Sequence, residues 1–346
     1  MYSPALADTP NALAHDRLPQ HAPLVAQTRD GLVESVHYGS MIATAPDGRT
    51  LLAAGDPLAH FYPRSALKPL QAVAMVRAGL DLPADLLALT AASHSGAARH
   101  RDGAERILDL HGLTPAALEN STDLPYGAAE REEWLREGGQ PAQLAQNCSG
   151  KHASMAATCV INGWPVRGYL DPGHPLQQLI AGTVTDLTGE TPERTTTDGC
   201  GTPLFALTLR GMARAFGRLA SAELPDGAAP ADNPEAAVAH AMRQHPAMVA
   251  GEGRDVTALM RLAPGLLAKD GFEGVQLVGL PDGRAVAVKI SDGGDRARMP
   301  VTVRVLEALG VDTAPLARIA AASVLGGGRP LGLLQATDFL PAPEAP

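Results

Sequence analysis

The chain has 346 residues, of which 45% are apolar and 19% are charged, and its formal net charge is −9. This composition is typical of a globular protein with a sizeable core and excludes a disordered or collagen-like chain. The excess of acidic side chains argues against nucleic acid or an anionic membrane as the main partner, because both attract basic surfaces. No apolar run approaches the roughly 20 residues that a membrane-spanning helix needs.

Cysteine content and the first residues bear on the cellular compartment. Three cysteines do not make a disulfide framework. Residues 1–23 contain Asp8, Asp16 and Arg17 and lack the apolar core of a secretory signal. We therefore expect a reducing, cytoplasmic location.

The predicted elements begin with strands at residues 24–29, 40–45 and 51–55. Pro46-Asp47-Gly48 predicts a hairpin turn between the last two. A helical period follows over residues 65–80. Further helices are predicted at residues 99–111, 151–162, 176–187, 204–222 and 234–244, the last with Asn233 as its N-cap.

Strands return near the carboxyl end. Residues 275–280 and 285–290 flank Pro281-Asp282-Gly283, which predicts a second hairpin. Helices at residues 299–309 and 314–322 follow.

This order predicts an α+β fold, in which strands from the N- and C-terminal parts form one antiparallel sheet and a large helical insertion packs against it. We expect a single catalytic domain at residues 23–340, between a loose tail at 1–22 and a loose end at 341–346. In this domain the strands of residues 24–55 and 266–291 share the sheet, and the helical lobe spans about 66–263.

The rarity of lysine makes the lysine residues candidates for a catalytic or ligand-binding role. Only four of the 28 basic residues are lysine, namely Lys68, Lys151, Lys269 and Lys289. Arginine keeps its proton, whereas a desolvated lysine can act as a base or a ligand. A coding bias toward arginine would leave the same pattern. The sequence around each lysine must therefore show whether that lysine has a chemical role.

Ser65 and Lys68 stand three residues apart at the start of the first predicted helix. That spacing puts both side chains on one face, and the helix N-terminus favours negative charge. A neutral Lys68 could take the Ser65 proton and make the hydroxyl a nucleophile. The plainer interpretation is an N-cap serine with an ordinary helix lysine.

Two further segments carry small polar residues. Ser93 and Ser95 end an apolar stretch and either face a cleft or cap the next helix. Lys269 and Lys289, taken alone, are consistent with plain strand lysines.

The cysteines outside the apolar helix face lie in polar loops. Cys148 precedes Lys151 and His152, and Cys200 lies in a glycine-lined loop with Asp198. Two such thiols could ligate zinc if folding joins them, but the C-x-x-C pair of a stronger zinc motif is missing. A Cys148–His152 nucleophile or a pair of unreactive thiols are the alternatives.

Taken together, these segments resemble the rhizobial-type (class 3) L-asparaginases over about residues 33–310. The residues that carry the resemblance stand in six ordered segments: Arg64-Ser65-Ala66-Leu67-Lys68-Pro69, Ala92-Ser93-His94-Ser95, Asn147-Cys148-Ser149-Gly150-Lys151-His152, Thr197-Asp198-Gly199-Cys200, His245-Pro246-Ala247-Met248-Val249-Ala250-Gly251 and Lys289-Ile290-Ser291-Asp292-Gly293. The N-terminal tail and residues 325–346, including Gly326-Gly327-Gly328, lack clear counterparts.

The resemblance implies a fold similar to serine β-lactamases and glutaminases. It implies Ser65 as nucleophile with Lys68, and Ser93 paired with Lys269 as a second serine–lysine couple. It also implies zinc near the site, held by Cys148, Lys151 and Cys200, and a homodimer.

The expected reaction is hydrolysis of L-asparagine to L-aspartate and ammonia through a serine acyl-enzyme. Arg64 is the candidate for the substrate α-carboxylate, Asp198 for its α-ammonium, and His152 for a third contact. The zinc is expected to organise the pocket. The alternatives are a glutaminase or another Ser/Lys amidohydrolase on the same scaffold, such as a penicillin-recognising hydrolase, and a non-enzymatic zinc-dependent amino acid sensor.

Overall fold

The computed structural model describes residues 18–225, 227 and 229–340, so most of the predicted tail and all of the predicted end at 341–346 lie outside the described residues. Within them, ten strands form an eight-stranded antiparallel sheet and a separate two-stranded ribbon. The strands are β1 (Ala22–Arg29), β2 (Leu32–Thr44), β3 (Thr50–Ala54), β4 (Thr195–Thr197), β5 (Pro203–Phe205), β6 (Leu267–Gly271), β7 (Val275–Gly279), β8 (Ala285–Ile290), β9 (Ala322–Gly326) and β10 (Arg329–Ala336).

The sheet order is β6-β7-β8-β2-β1-β10-β9, with β3 also paired to β2, while β4 and β5 make the ribbon. Strands from both parts of the chain therefore meet at β2 and β8, where Ser40 lies opposite Lys289. This confirms the predicted α+β architecture and the placing of residues 24–55 and 266–291 in one sheet. Both predicted hairpins form, and Gly48 and Gly283 take the positive φ angles of 83° and 87° that their turns require.

The prediction missed the hairpin of β9 and β10, which adds two strands beyond β1. The two strands are joined by Gly327 and Gly328, with φ angles of 55° and 80°. Two consecutive left-handed residues make the tight turn that suits a two-residue hairpin loop. The Gly326-Gly327-Gly328 run, which the sequence left unassigned, is the signal of this hairpin.

Twelve α-helices are seen in the described residues, ten of them between β3 and β6. They are α1 (Lys68–Arg77), α2 (Ala84–Thr90), α3 (Ala98–Leu110), α4 (Ala128–Arg136), α5 (Ser149–Ile161), α6 (Pro175–Thr188), α7 (Leu209–Ser221), α8 (Pro234–Gln244), α9 (Pro246–Val249), α10 (Asp255–Leu262), α11 (Arg298–Ala308) and α12 (Ala317–Ala320). None of these helices has the length and apolarity needed to cross a membrane.

Helices cover both faces of the sheet. Gly279 of β7 lies against the α7 backbone, where a side chain would strike the carbonyl oxygen of Phe216. Gln276, which points to the other face of the same strand, accepts a hydrogen bond from Arg298 of α11 at 2.7 Å. The helical lobe thus covers one face and α11 covers the other.

Three predicted helices begin later than expected, and the one predicted at 314–322 is the short α12, which begins at Ala317 after a 3-10 turn at Ala314–Leu316. Residues 204–208 do not continue α7, which begins at Leu209 because the Thr208 hydroxyl accepts a hydrogen bond from the Gly211 amide at 3.1 Å. The first helix begins at Lys68, and a 3-10 turn at Arg64–Leu67 precedes it. The Asn233 cap of α8 is confirmed, since its side-chain oxygen accepts from the Ala236 amide at 3.2 Å.

Gly271 of β6 allows this 3-10 turn to lie directly on the sheet. A Cβ atom at residue 271 would overlap the Pro63 carbonyl oxygen and approach the Ala66 nitrogen to 3.2 Å. Both obstacles are backbone atoms and cannot rotate away. The absence of a side chain at Gly271 therefore fixes how closely Ser65 approaches β6.

We expect Gly271→Ala to lower the free energy of unfolding by about 1–3 kcal/mol, the usual cost of overpacking. Gly182→Ala is the matched control, because Gly182 lies in α6 with nothing near its missing Cβ. That change should leave stability equal or raise it by up to about 1 kcal/mol. Urea unfolding measures both, and equal behaviour of the two variants would contradict the proposed backbone contact.

Candidate active site

Ser65 lies on a strained turn at the edge of a cavity. Arg64, the residue before it, has a φ angle of 53°, a left-handed conformation that costs a non-glycine residue roughly 1–2 kcal/mol. Strain of this kind is concentrated at functional sites, where the surrounding structure holds it in place. The Ser65 side chain is partly exposed to the cavity.

Contacts of its side chain hold Arg64 in this conformation. Its Nε donates to Asp198 Oδ1 at 2.8 Å, and the guanidinium carbon lies 5.4 Å from the centre of the Phe272 ring. The two residues expected to bind the ends of an amino acid substrate, Arg64 and Asp198, are therefore paired with each other. Both line the same part of the cavity, so they present a positive and a negative charge side by side.

Lys68 lies on the first turn of α1 with its side chain only 1% exposed. Its Nζ donates to Ser93 Oγ at 2.7 Å, to Ala92 O at 2.8 Å and to Cys148 Sγ at 3.0 Å. Ser93, which was predicted to pair with Lys269, accepts its hydrogen bond here from Lys68, and Lys269 is hydrogen-bonded to Asp270. The serine that Lys68 contacts directly is Ser93, and Ser65 lies on the turn just before.

The Ser93 segment is fixed by its backbone and does not cap the next helix. Ser93 N donates to Val249 O at 2.9 Å, and Ser95 N donates to Ala250 O at 2.7 Å. The Ser95 hydroxyl donates to Glu130 Oε1 of α4 at 2.6 Å. The capping interpretation of these serines is wrong, since α3 follows Ala97 without a side-chain cap.

Lys269 lies on β6 with its side chain fully buried. Its Nζ donates to Asp270 Oδ1 at 2.6 Å and to Asp270 O at 2.8 Å. Burial lowers the pKa of Lys269 to about 8, although the Asp270 charge opposes this shift. Burial alone would raise the pKa of Asp270, but the cations Lys269, Arg298 and Arg254 hold it well below its usual range.

The two serines line a cavity with two adjoining lobes, and the side chains that hydrogen-bond to the buried lysines form part of its wall. The smaller lobe, of about 30 Å³, is lined by Ser65, Ser93, Arg254 and Asp270 among others. The larger, of about 210 Å³, contains the Arg64–Asp198 pair and the two thiols described below. The residues that line both lobes are Ser65, Tyr126, Asn147 and Phe272. A ligand of a few heavy atoms in the larger lobe would therefore meet Ser65 at its border with the smaller one.

The residues expected to hold zinc are brought together behind the larger lobe. Lys151 Nζ donates to Cys200 Sγ at 3.2 Å and to Thr202 Oγ1 at 3.0 Å. A hydrogen bond from Cys148 and the charge of Lys151 hold the pKa of Cys200 well below its usual range. The same bond with Cys200, together with burial, raises the pKa of Cys148.

These donors fit a zinc ion by their chemistry, since two thiols and an amine are nitrogen and sulfur ligands. Among the described residues, no three His, Cys, Asp or Glu side chains cluster closely enough to hold a metal ion. A site here therefore needs Lys151 as its third ligand. The buried ring nitrogen His152 Nε2 lies beside the Cys200 thiol, which acts on the pKa of His152, and it has no other hydrogen-bond partner in the described part of the chain.

His152 is fully buried, and its Nδ1 lies 2.9 Å from the Tyr169 hydroxyl. Burial, and then the charge of Lys151, lowers its pKa to about 4, so the ring is neutral at pH 7. Besides Cys200, the partners of the Cys148 sulfur are Lys68 and Asn147 Oδ1. The alternative Cys148–His152 nucleophile therefore lacks its hydrogen bond. Cys159 is buried in the core, as expected.

Lys289, the fourth lysine, has a structural role. Its Nζ donates to Glu273 O at 2.7 Å and to Ile290 O at 2.6 Å, which joins the β6–β7 turn to the end of β8. Burial lowers its pKa.

Sequence reasoning missed Tyr126, Arg254 and Asp270, which line the smaller lobe. Asp270 follows Lys269 directly, and this adjacency was the available signal. Arg254 is one of many arginines, and only the fold brings it to Asp270, where the two side chains form an ion pair at 2.8 Å.

The family model described as L-asparaginase II matches residues 25–336. The chain belongs to the L-asparaginase II family. It is therefore an amidohydrolase, and the match extends past residue 325, where the sequence had suggested that counterparts end. No curated protein matches the chain significantly.

Solved structures with a similar trace share little sequence with this L-asparaginase II family member. A β-lactamase from Mycobacterium bovis aligns at 16% identity with a TM-score of 0.44, over 78% of this chain and 94% of its own. A Bacillus glutaminase aligns at 13% identity with a TM-score of 0.36, over 79% of this chain and 91% of its own. Similarity at this level does not identify an activity.

Proposed function

We propose that this family member is an L-asparaginase that hydrolyses L-asparagine to L-aspartate and ammonia. The observation that carries the proposal is that two serine hydroxyls line one small cavity and that Ser93 and Asp270, the hydrogen-bond partners of two buried lysine amines, lie in its wall. Ser65 and Ser93 line it, Lys68 contacts Ser93, and Lys269 is held by Asp270 at its wall.

The proposed reaction proceeds through an acyl-enzyme. Lys68 takes the proton of Ser65, whose oxygen attacks the side-chain amide carbon of the substrate. The amide nitrogen takes up a proton and leaves as ammonia, with the Ser93 hydroxyl as the relay from Lys68. Water then attacks the β-aspartyl ester, which releases aspartate and returns the proton to Ser65.

The paired charges of Arg64 and Asp198 support an amino acid as the substrate. Arg64 would bind the α-carboxylate and Asp198 the α-ammonium, so that each end meets an opposite charge. His152 is too deeply buried for a direct contact, and we assign it the role of supporting the Cys200 loop.

Ammonia release from asparagine, glutamine and simple amides tests the substrate. Asparagine should react fastest by kcat/KM. Preference for glutamine would favour the glutaminase alternative, and nitrocefin colour would reveal a penicillin-recognising hydrolase. Tight asparagine binding without ammonia would instead favour the sensor.

Ser93 is the second candidate nucleophile, because its hydroxyl lies 2.7 Å from the Lys68 amine. We expect Ser65→Ala to abolish turnover and acyl-enzyme formation, whereas Ser93→Ala should slow turnover by about 10²–10⁴-fold, the usual contribution of a proton-transfer group. Mass spectrometry of enzyme quenched during turnover measures the acyl adduct. If the adduct persists in Ser65→Ala and vanishes in Ser93→Ala, Ser93 is the nucleophile and Ser65 is the proton-transfer residue.

The rate should rise with pH through about 8. Above this pH the Lys269 amine is neutral, since burial lowers its pKa to about 8, and its charge no longer opposes proton transfer to Lys68. Below it, Lys269 is charged and the rate falls. This limb should be absent from the kcat profile of Lys269→Met. A wild-type rate that falls as pH rises through 8 would make Lys269 an acid instead.

We further propose that Cys148, Lys151 and Cys200 hold a zinc ion, which when bound would polarise and order the pocket. Purified protein should contain about one zinc per chain by mass spectrometry of the metal. Cys200→Ala should lose it, whereas Cys159→Ala, the control in the core, should keep it. Equal zinc in both variants would contradict this site.

A homodimer in the cytoplasm is the remaining part of the proposal. It is supported by large apolar side chains that are exposed on β2, β9 and β10 of the sheet, among them Leu32, Tyr38, Leu325 and Leu333. Sedimentation velocity should give twice the chain mass of 35.8 kDa. A monomer at micromolar concentration would contradict it.

A further inference from the structure

A line of contacts leads from Lys269 to the loop that covers the cavity. Lys269 Nζ donates to one carboxylate oxygen of Asp270 at 2.6 Å. The other oxygen accepts from Arg254 Nη2 at 2.8 Å. The guanidinium carbon of Arg254 lies 4.7 Å from the centre of the Tyr126 ring.

We propose that Arg254, held by Tyr126, is a positioning residue that fixes the Asp270 carboxylate and through it the amine of Lys269. The proposal rests on the proposed function, because it assigns Lys269 a part in the reaction. It adds a role for three residues that no motif in the sequence marks.

In the described part of the chain, the position of the Lys269 amine depends on its hydrogen bonds to one residue, Asp270. Its hydrogen bonds go to the carboxylate and the carbonyl of Asp270, and its flexible four-carbon chain does not fix the amine by itself. Arg254 occupies the second carboxylate oxygen and stops the group from turning. Without Arg254, both oxygens are free to follow the amine and draw it from its place.

Besides fixing the Asp270 carboxylate, Arg254 acts on Lys269 through its positive charge. The ionisable groups that face Lys269 are Asp270 on its own strand, Lys68 on α1 and Arg254 before α10. Arg298 of α11 acts on Asp270, and is itself paired with Asp255 at 2.9 Å and with the neighbouring Asp295 at 3.2 Å. The positive charge of Arg254 therefore helps to keep the pKa of Lys269 low.

Tyr126 is held firmly enough to support Arg254. The next residue, Gly127, donates its amide to Ser95 O at 2.8 Å. The Ser95 hydroxyl in turn binds Glu130 of α4 at 2.6 Å. The ring that stacks on Arg254 is thus tied to the segment that carries Ser93, which accepts the hydrogen bond of Lys68.

The test compares kcat, KM and their pH profiles in Arg254→Met, Arg254→Lys and the control Arg261→Met. Arg261 lies on α10, and within the described residues its ion pair is with the exposed Glu252 at 2.7 Å, so its loss should change nothing. Arg254→Met should lower kcat by up to about 100-fold at pH 8 with KM within about twofold, and shift the limb near pH 8 upward. Arg254→Lys should return the rise in rate to the pH seen in the wild type but should restore only part of kcat.

Two further variants sharpen the expectation. Asp270→Asn removes a negative charge and should shift the limb downward, opposite to Arg254→Met. Tyr126→Phe keeps the ring under Arg254 and should lower kcat less than Tyr126→Ala, which should reproduce a weaker form of the Arg254→Met effect. A KM raised many-fold with unchanged kcat would overturn the proposal, because Arg254 would then bind the substrate carboxylate.

A readout without substrate separates this proposal from the proposed function. With only four lysines, the Lys269 resonances can be assigned in labelled protein by comparison with Lys269→Met, and its pKa can be titrated by NMR. Arg254→Met should raise that pKa whether or not asparagine is hydrolysed, and an unchanged pKa would overturn the proposal. If Arg254→Met raises the pKa of Lys269 but the wild-type protein does not hydrolyse asparagine, the positioning role of Arg254 stands and L-asparagine is excluded as the substrate.

Discussion

Burial of lysine amines is the constraint on which the site depends. Lys68, Lys151 and Lys269 are among the largest fully buried side chains of the described structure. Removing an ammonium group from water costs several kcal/mol even after the protein relaxes, so each amine needs acceptors in defined directions. A carbonyl, a hydroxyl and a thiol serve Lys68, a hydroxyl and a thiol serve Lys151, and a carboxylate serves Lys269. The arrangement of polar groups around the cavity follows from these needs.

The sequence predicted the parts of the fold that local patterns encode. Both Pro-Asp-Gly hairpins and the Asn233 cap are determined within a few residues, and the apolar periods located most helices. It also predicted that the strands meet across the insertion, since neither hairpin is stable alone. The hairpin of β9 and β10 was missed because its signal is three glycines and its strands are partly exposed, with little apolar alternation.

For the candidate site, residue types in the sequence indicated which side chains lie near the cavity, but the sequence did not indicate which of them contact each other. The rarity of lysine drew attention to three of the residues around the cavity and its thiols. Which serine each lysine contacts depends on distances between α1, β6 and residues 93–95, and no spacing encodes those distances. The same holds for Arg254, whose importance arises only because the fold brings the residue before α10 beside Asp270. The left-handed conformation of Arg64 was also invisible, because nothing in the residue type suggests it.

The topology of the sheet has a consequence for synthesis of the chain. β1, β2 and β3 leave the ribosome first, yet the partners of β1 and β2 include β10 and β8, which follow only after the whole helical lobe. Until then these strands have unpaired edges, which favour association with other chains. Contacts so distant in sequence also make folding slow. The helical lobe therefore has time to collapse before the sheet closes, and chaperone binding during translation would have most effect on the first strands.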